Sequence, residues 1–301
     1  MRTNRTTIAP PTRLLLATDL SVRCDRALAR AAQIAGEWQA ELVALNVLDP
    51  TTPDQALAWI RGKDDAYLLS IARQQLARDL AGLNVHASMR IVRSGDAATA
   101  IRNLAASIEC GLVVTGVARS EILGRFLLGS IVERLVRMLP QPLLVVRSRE
   151  NGPYRRIVVA TDFSDSSRHA LLAAIHLFPG REIILYHAWQ TPFSGVVDKP
   201  SHASIRRVSQ DIERGVCSEF LATSELPPEV TVRPTIEHGP LETTLTQYVR
   251  NHEVELVVMG SHGRSGLMNI MLGSSASALL EWLPCDALVV REPRSATSGD
   301  V

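Results

Sequence analysis

The eight residues LLLATDLS beginning at Leu14 return as IVVATDFS beginning at Ile157. LVVTG at Leu112 returns as LVVMG at Leu256, and LLVVR ending at Arg147 returns as ALVVR ending at Arg291. The first pair is offset by 143 residues and the other two by 144. Matches so far apart, kept in one order, mark a duplicated unit of about 140 residues. Nothing local constrains the fold as strongly, because whatever one copy forms the other must form too. The reading places the first unit at 13–148, a linker at 149–154 containing Gly152-Pro153, and the second unit at 155–293. Residues 1–12, with Pro10-Pro11, and 294–301, small and polar, read as disordered tails.

Within each copy, short β-branched and Leu-rich runs alternate with longer helical patterns. Strands are expected near Arg13–Thr18, Glu41–Val47, Val85–Arg93, Leu112–Gly116 and Pro142–Arg147, and helices near Val22–Gly36, Pro53–Leu80, Asp96–Glu109 and Ser130–Leu139. The second copy repeats this from Arg156 to Arg291. Runs such as LLLAT and LLVVR are apolar on both sides, which requires both faces of the sheet to be covered and suits parallel strands joined by helical crossovers. The expected class is α/β: two tandem open five-stranded parallel-sheet sandwiches, meeting through their final strands LLVVR and ALVVR. Ser164 and Ser21 are placed to cap the helices that follow the first strand of each copy.

Composition excludes more than it selects. With 21% charged residues and a formal net charge of +1, no strong field points to nucleic acid or to an anionic membrane surface. No run approaches the length of a membrane span and the first residues lack the apolar core of a signal peptide, so a cytoplasmic protein is expected. Cys24, Cys110, Cys217 and Cys285 show no metal-ligand spacing and read as reduced thiols.

Chemistry is expected just after strands, where open parallel sheets bind their ligands. The stretch GSHGRSGLMNIMLGSS, from Gly260 to Ser275, leaves a strand, passes Gly263 and Gly266, and reaches Gly273-Ser274-Ser275 at the mouth of a helix. Glycines let backbone approach a bulky anion, and a helix start offers free N–H groups. The first copy reads GVARSEILGRFLLGSI, with Arg119 at the place of Gly263. A side chain there stands where backbone would approach phosphate, and Arg119 either fills the pocket or supplies a cation to an anion held differently; the first half is read as degenerate.

The spacing Gly-x2-Gly-x9-Gly-Ser, met by Gly260, Gly263, Gly273 and Ser274, resembles the nucleotide-binding signature of the universal stress protein family. The ATDLS and ATDFS strand exits and the LVVR endings extend the resemblance over both halves. It implies an ATP-binding, tandem regulatory protein of the stress response, with magnesium bridging the phosphates. By the same resemblance, Ala160, Thr161, Asp162 and Ala188 stand near the base and ribose. Met259, Gly260, Gly263, Arg264, Gly273, Ser274 and Ser275 stand along the phosphate loop. His262 and His187 are read as hydrogen-bonding or packing residues, and no catalytic or metal-binding residue is assigned. No Gly-x4-Gly-Lys-Ser/Thr loop delivers a lysine to the phosphates, so any ATP hydrolysis is expected to be slow. Two other readings stay open: an ATP-cleaving or adenylyl-transferring enzyme, and a scaffold working through protein partners or a small apolar ligand. The partners expected are ATP and unnamed proteins, with no nucleic acid and no membrane, and the halves paired within the chain with or without further homodimerisation.

Overall fold

Strands that are apolar on both sides need a helical layer on each face, and the computed structural model supplies two. It describes residues 9–50, 65–117, 121–122, 125–126, 129–190, 201–262 and 273–292. The first half runs β1 (Arg13–Thr18), α1 (Asp25–Trp38), β2 (Glu41–Leu48), α2 (Asp65–Ala81), β3 (Ala87–Arg93), α3 (Ala97–Ser107) and β4 (Leu112–Gly116). Two antiparallel two-residue strands, β5 (Glu121–Ile122) and β6 (Arg125–Phe126), then precede α4 (Ser130–Met138) and β7 (Leu143–Val146). No periodicity announced that small pair. The second half runs β8 (Ile157–Ala160), α5 (Asp165–Leu177), β9 (Ile183–Trp189), α6 (His202–Ile212), α7 (Ser218–Ala222) and β10 (Val232–His238). It ends with α8 (Leu241–Asn251), β11 (Leu256–Gly260), α9 (Ser274–Trp282) and β12 (Asp286–Val290).

In the main sheet all pairings within a half are parallel, in the order β3-β2-β1-β4-β7 and β10-β9-β8-β11-β12. The halves meet through their final strands, as expected, but as one continuous sheet rather than two. β7 and β12 pair antiparallel, Leu143 with Val289, Leu144 with Leu288 and Val145 with Ala287, so ten strands form one sheet. The physical reason is the edge: both strands are buried along their whole length, and a bare apolar edge invites a partner. Alternation along β1 sends Leu14 and Leu16 to one face and Leu15 and Ala17 to the other, and the cluster on each face runs through both halves.

The seam between the halves holds a buried polar group. Asp286 is 0% exposed; its Oδ1 accepts the backbone N–H groups of Arg147 (2.8 Å) and Ser148 (2.7 Å), and its Oδ2 accepts the Tyr154 hydroxyl (2.6 Å). Arg30 of α1 approaches Asp286 to 3.6 Å and lies 4.1 Å over the Tyr154 ring. Burial pushes the Asp286 carboxyl above its ordinary range, against the pull of these donors. Nearby, the Trp38 indole N–H donates to the Leu177 carbonyl at 2.9 Å, tying α1 to α5.

Two local expectations divide. Ser164 does cap α5, accepting the Ser167 N–H at 3.3 Å. Ser21 caps nothing through its side chain, because a 3-10 turn at Val22–Cys24 precedes α1. The Asp19 carboxylate takes the N–H of Ser21 (2.9 Å) and the thiol of Cys24 (3.1 Å) instead. Between β9 and β10 the described residues run as α6, a π-helical turn at Glu213–Cys217 with Gly215 at φ −91° and ψ −105°, and α7. All four cysteines are free. No helix among the described residues is long and apolar enough to cross a membrane.

Candidate functional site

The order β10-β9-β8-β11-β12 reverses its direction of growth between β8 and β11, and such a reversal opens a crevice at the strands' carboxyl ends. A cavity of about 130 Å³ lies there. Ala160, Thr161 and Asp162 line it from the exit of β8, and Met259, Gly260 and His262 from the exit of β11. The start of α9 contributes Gly273, Ser274 and Ser275, with Ala276 and Leu279 behind them. Ser167 from α5 and Leu241 from α8 complete it.

Eight of the eleven residues singled out in the sequence therefore meet around one cavity. Ala188 does not line it: it is on β9, one strand beyond β8, and packs against the core. Gly263 and Arg264 lie outside the described residues, as do Arg119 of the first half and the stretches 1–8, 51–64 and 293–301. Ser167, Leu241, Ala276 and Leu279 were missed. The last three look like ordinary core positions of amphipathic helices, and only the fold turns them to the crevice.

The strand exit is built by its own hydrogen bonds. Thr161 Oγ1 accepts the Phe163 N–H at 2.9 Å and meets Ser167 Oγ at 2.9 Å, while Phe163 takes the left-handed conformation at φ 60°. His187 Nδ1 lies 2.8 Å from the Thr161 carbonyl, which only accepts, so that nitrogen carries the hydrogen. Asp162 Oδ1 accepts the N–H (3.1 Å) and hydroxyl (2.5 Å) of Ser164, a turn that reads directly from the sequence. The first half makes the same turn: Thr18 Oγ1 accepts the Leu20 N–H at 3.0 Å, Leu20 has φ 61°, and Asn46 Nδ2 donates to the Thr18 carbonyl at 2.9 Å. The ATD-x-S motif is thus first a turn-building device, present in both halves, and Asn46 and His187 do one job with different chemistry.

Across the crevice, the Gly273 N–H donates to the Ser261 carbonyl at 2.9 Å and the Ser261 N–H to the Val290 carbonyl at 2.9 Å, which pins the start of α9 to the end of β11. Ser261 Oγ meets His262 Nδ1 at 2.8 Å, and His262 Nε2 is buried without a partner among the described residues. The N-cap Gly273 offers no side-chain acceptor and the first turn of α9 has no acidic residue. The first turn of α9 thus lines the cavity with no side-chain cap from its N-cap residue, an arrangement that favours an anion.

The first half differs at the matching places. Ile131, 40% exposed, stands where the second half has Ser275, and Glu133 lies in the first turn of α4 where α9 has Ser277. Asp96 caps α3 and pairs with Arg134 of α4 at 2.7 Å, at positions held by Pro240 and Ala278 in the second half. The Arg134 hydrogen bond, then those from Thr99, hold the Asp96 carboxyl well below its usual range. Cys24 replaces Ser167, and burial pushes its thiol up to about 11. Burial also works to raise Asp19, but hydrogen bonds from Ser21 and Cys24 leave its carboxyl lowered overall. Among the described residues no group of three or more His, Cys, Asp or Glu converges to hold a metal ion.

Comparison with known proteins agrees with this architecture. The sequence profile of the universal stress protein family matches residues 11–147 and again 153–291. A universal stress protein of Mycobacterium tuberculosis strain H37Rv is 30% identical over 192 residues, 62% of this chain and 63% of that protein, so the match spans just under two thirds of the relative's length. One from Mycolicibacterium smegmatis is 26% identical over 298 residues, covering 92% of this chain and 96% of its own. The crystal structure of a universal stress protein from Archaeoglobus fulgidus superposes with a TM-score of 0.66 at 19% identity, over 94% of this chain and 99% of that one, and so shares the fold. With its profile matched twice in succession and a relative aligned along nearly the whole chain, the protein belongs to the universal stress protein family in its tandem form.

Proposed function

We propose that the second half binds ATP in the crevice between β8 and β11, that the first half does not, and that the protein acts as a regulatory nucleotide-binding protein. The observation that carries the reading is the convergence of the described part of the glycine signature, Gly260, Gly273 and Ser274, with Thr161 and Asp162 around one cavity. The donor set suits a nucleotide: uncapped N–H groups and the hydroxyls of Ser274 and Ser275 toward phosphate, and Asp162 at the strand exit toward the ribose and base. Asp162 is the only carboxylate among the described lining residues, so magnesium would be held chiefly by the phosphates, with a serine hydroxyl beside it, and would neutralise their charge. No nucleophile and base are paired for rapid hydrolysis among these residues; the half-buried Ser261–His262 pair is the nearest approach, and Ser261 is 1% exposed.

Titration calorimetry with ATP and magnesium tests the reading. One site per chain is expected. Ser275→Ile, which copies Ile131 into the second half at an exposed position, should weaken ATP by at least about tenfold, through a lost hydroxyl contact and an obstructed mouth, with an unchanged melt. Two equivalent sites, or no heat at all, would overturn it.

A further inference from the structure

Both repeats end their last strand in arginine, Arg147 and Arg291, and the sheet gives each arginine to the opposite half. Arg147 follows β7 of the first half and is 4% exposed. Its guanidinium donates to the Leu283 carbonyl at 2.8 Å and to the Leu280 carbonyl, in the last turn of α9 and just beyond it. Arg291 follows β12 and donates to the Arg137 carbonyl in the last turn of α4. The antiparallel pairing of β7 with β12 makes the exchange reciprocal.

The two clamps are not equivalent in what they hold. α9 is the helix whose first turn, Gly273 to Ala276, lines the cavity, and its nine residues span about 14 Å. A guanidinium on the carbonyls at its far end satisfies acceptors that the helix cannot, and complements the negative end of its dipole. It also fixes where the helix lies against the seam. We propose that Arg147, a residue of the first half, is a positioning residue for the second half's site: by gripping the end of α9 it holds the leading N–H groups in register with β8 and β11, and it couples occupancy of the cavity to the seam. This rests on the nucleotide reading of that cavity. By thermodynamic reciprocity, a ligand at the start of α9 tightens the end that Arg147 holds.

The test uses the full chain with Arg147→Met, Arg147→Lys and Arg291→Met, at a temperature where melts show each folded. ATP affinity by calorimetry should fall about fivefold in Arg147→Met, equivalent to about 1 kcal/mol at a helix terminus, and recover in part in Arg147→Lys. Arg291→Met, which loosens the other clamp, should stay within about twofold of the parent. Hydrogen exchange in the last turn of α9 should slow on adding ATP to the parent and stay unchanged in Arg147→Met. The coupling is overturned if Arg147→Met binds ATP like the parent, if both arginine variants weaken binding equally, or if ATP leaves exchange at the end of α9 unaltered. A parent that takes no ATP overturns the nucleotide reading and the coupling together, whereas a parent that binds while Arg147→Met binds equally removes the coupling alone. Should Arg147→Met not fold, Arg147→Lys and the exchange response of the parent decide between the same outcomes.

Discussion

Gly260 opens the loop signature, and its backbone has a reason to be glycine that involves no ligand. A Cβ built there would lie 2.4 Å from Ser166 Oγ and 2.9 Å from the Ser166 carbonyl oxygen, because the start of α5 presses on the end of β11. At Gly116 the matching contact, with the Arg23 carbonyl, is 3.1 Å. Overpacking of this kind costs about 1–3 kcal/mol. Gly260→Ala should therefore lower the melting temperature without any nucleotide present, and Gly116→Ala should lower it less; equal melts with the parent would show that α5 yields freely. The first glycine serves the packing of strand on helix in both halves, whereas the halves differ at Ser275 and its counterpart Ile131. That difference is present in the sequence, but only the fold places Ser275 on the lining of the cavity.

At the scale of elements, the two strand exits show how one motif builds two different helix starts. In the second half Ser164 accepts the Ser167 N–H and α5 begins at Asp165; in the first, Ser21 makes no cap bond and a 3-10 turn leads into α1. Loss of an N-cap costs about 1 kcal/mol. Ser164→Ala should thus destabilise the protein by about that amount in urea unfolding, and Ser21→Ala by much less, and a reversal of the two would contradict the assignment. The sequence offers the same serine in both places. What differs is the neighbour three residues on: Ser167 pairs with Thr161, whereas Cys24 turns to Asp19.

The whole molecule is held as one unit by a sheet and two core clusters that cross the seam, with Asp286 at its centre. Removing one partner from a buried charged group typically costs about 3–5 kcal/mol, since the remaining donors stay desolvated. Asp286→Ala leaves the Tyr154 hydroxyl, the N–H groups of Arg147 and Ser148, and the Arg30 guanidinium without it. Urea unfolding should show a single transition in the parent and a single, earlier one in this variant; two separated transitions would mean that the halves are independent. The repeat, the alternation of strands and helices, the parallel class and the residues at the strand exits were legible in the sequence by itself, because hydrophobic period and turn chemistry are local and a duplication states them twice. The antiparallel register that turns two expected sheets into one of ten strands, the exchange of arginines between halves, the placing of Leu241, Ala276 and Leu279 in the crevice and the absence of Ala188 from its lining were decided only by the tertiary structure. Each depends on which strand lies beside which, and strand order is set by burial and pairing between segments far apart in the sequence, where no local pattern reaches.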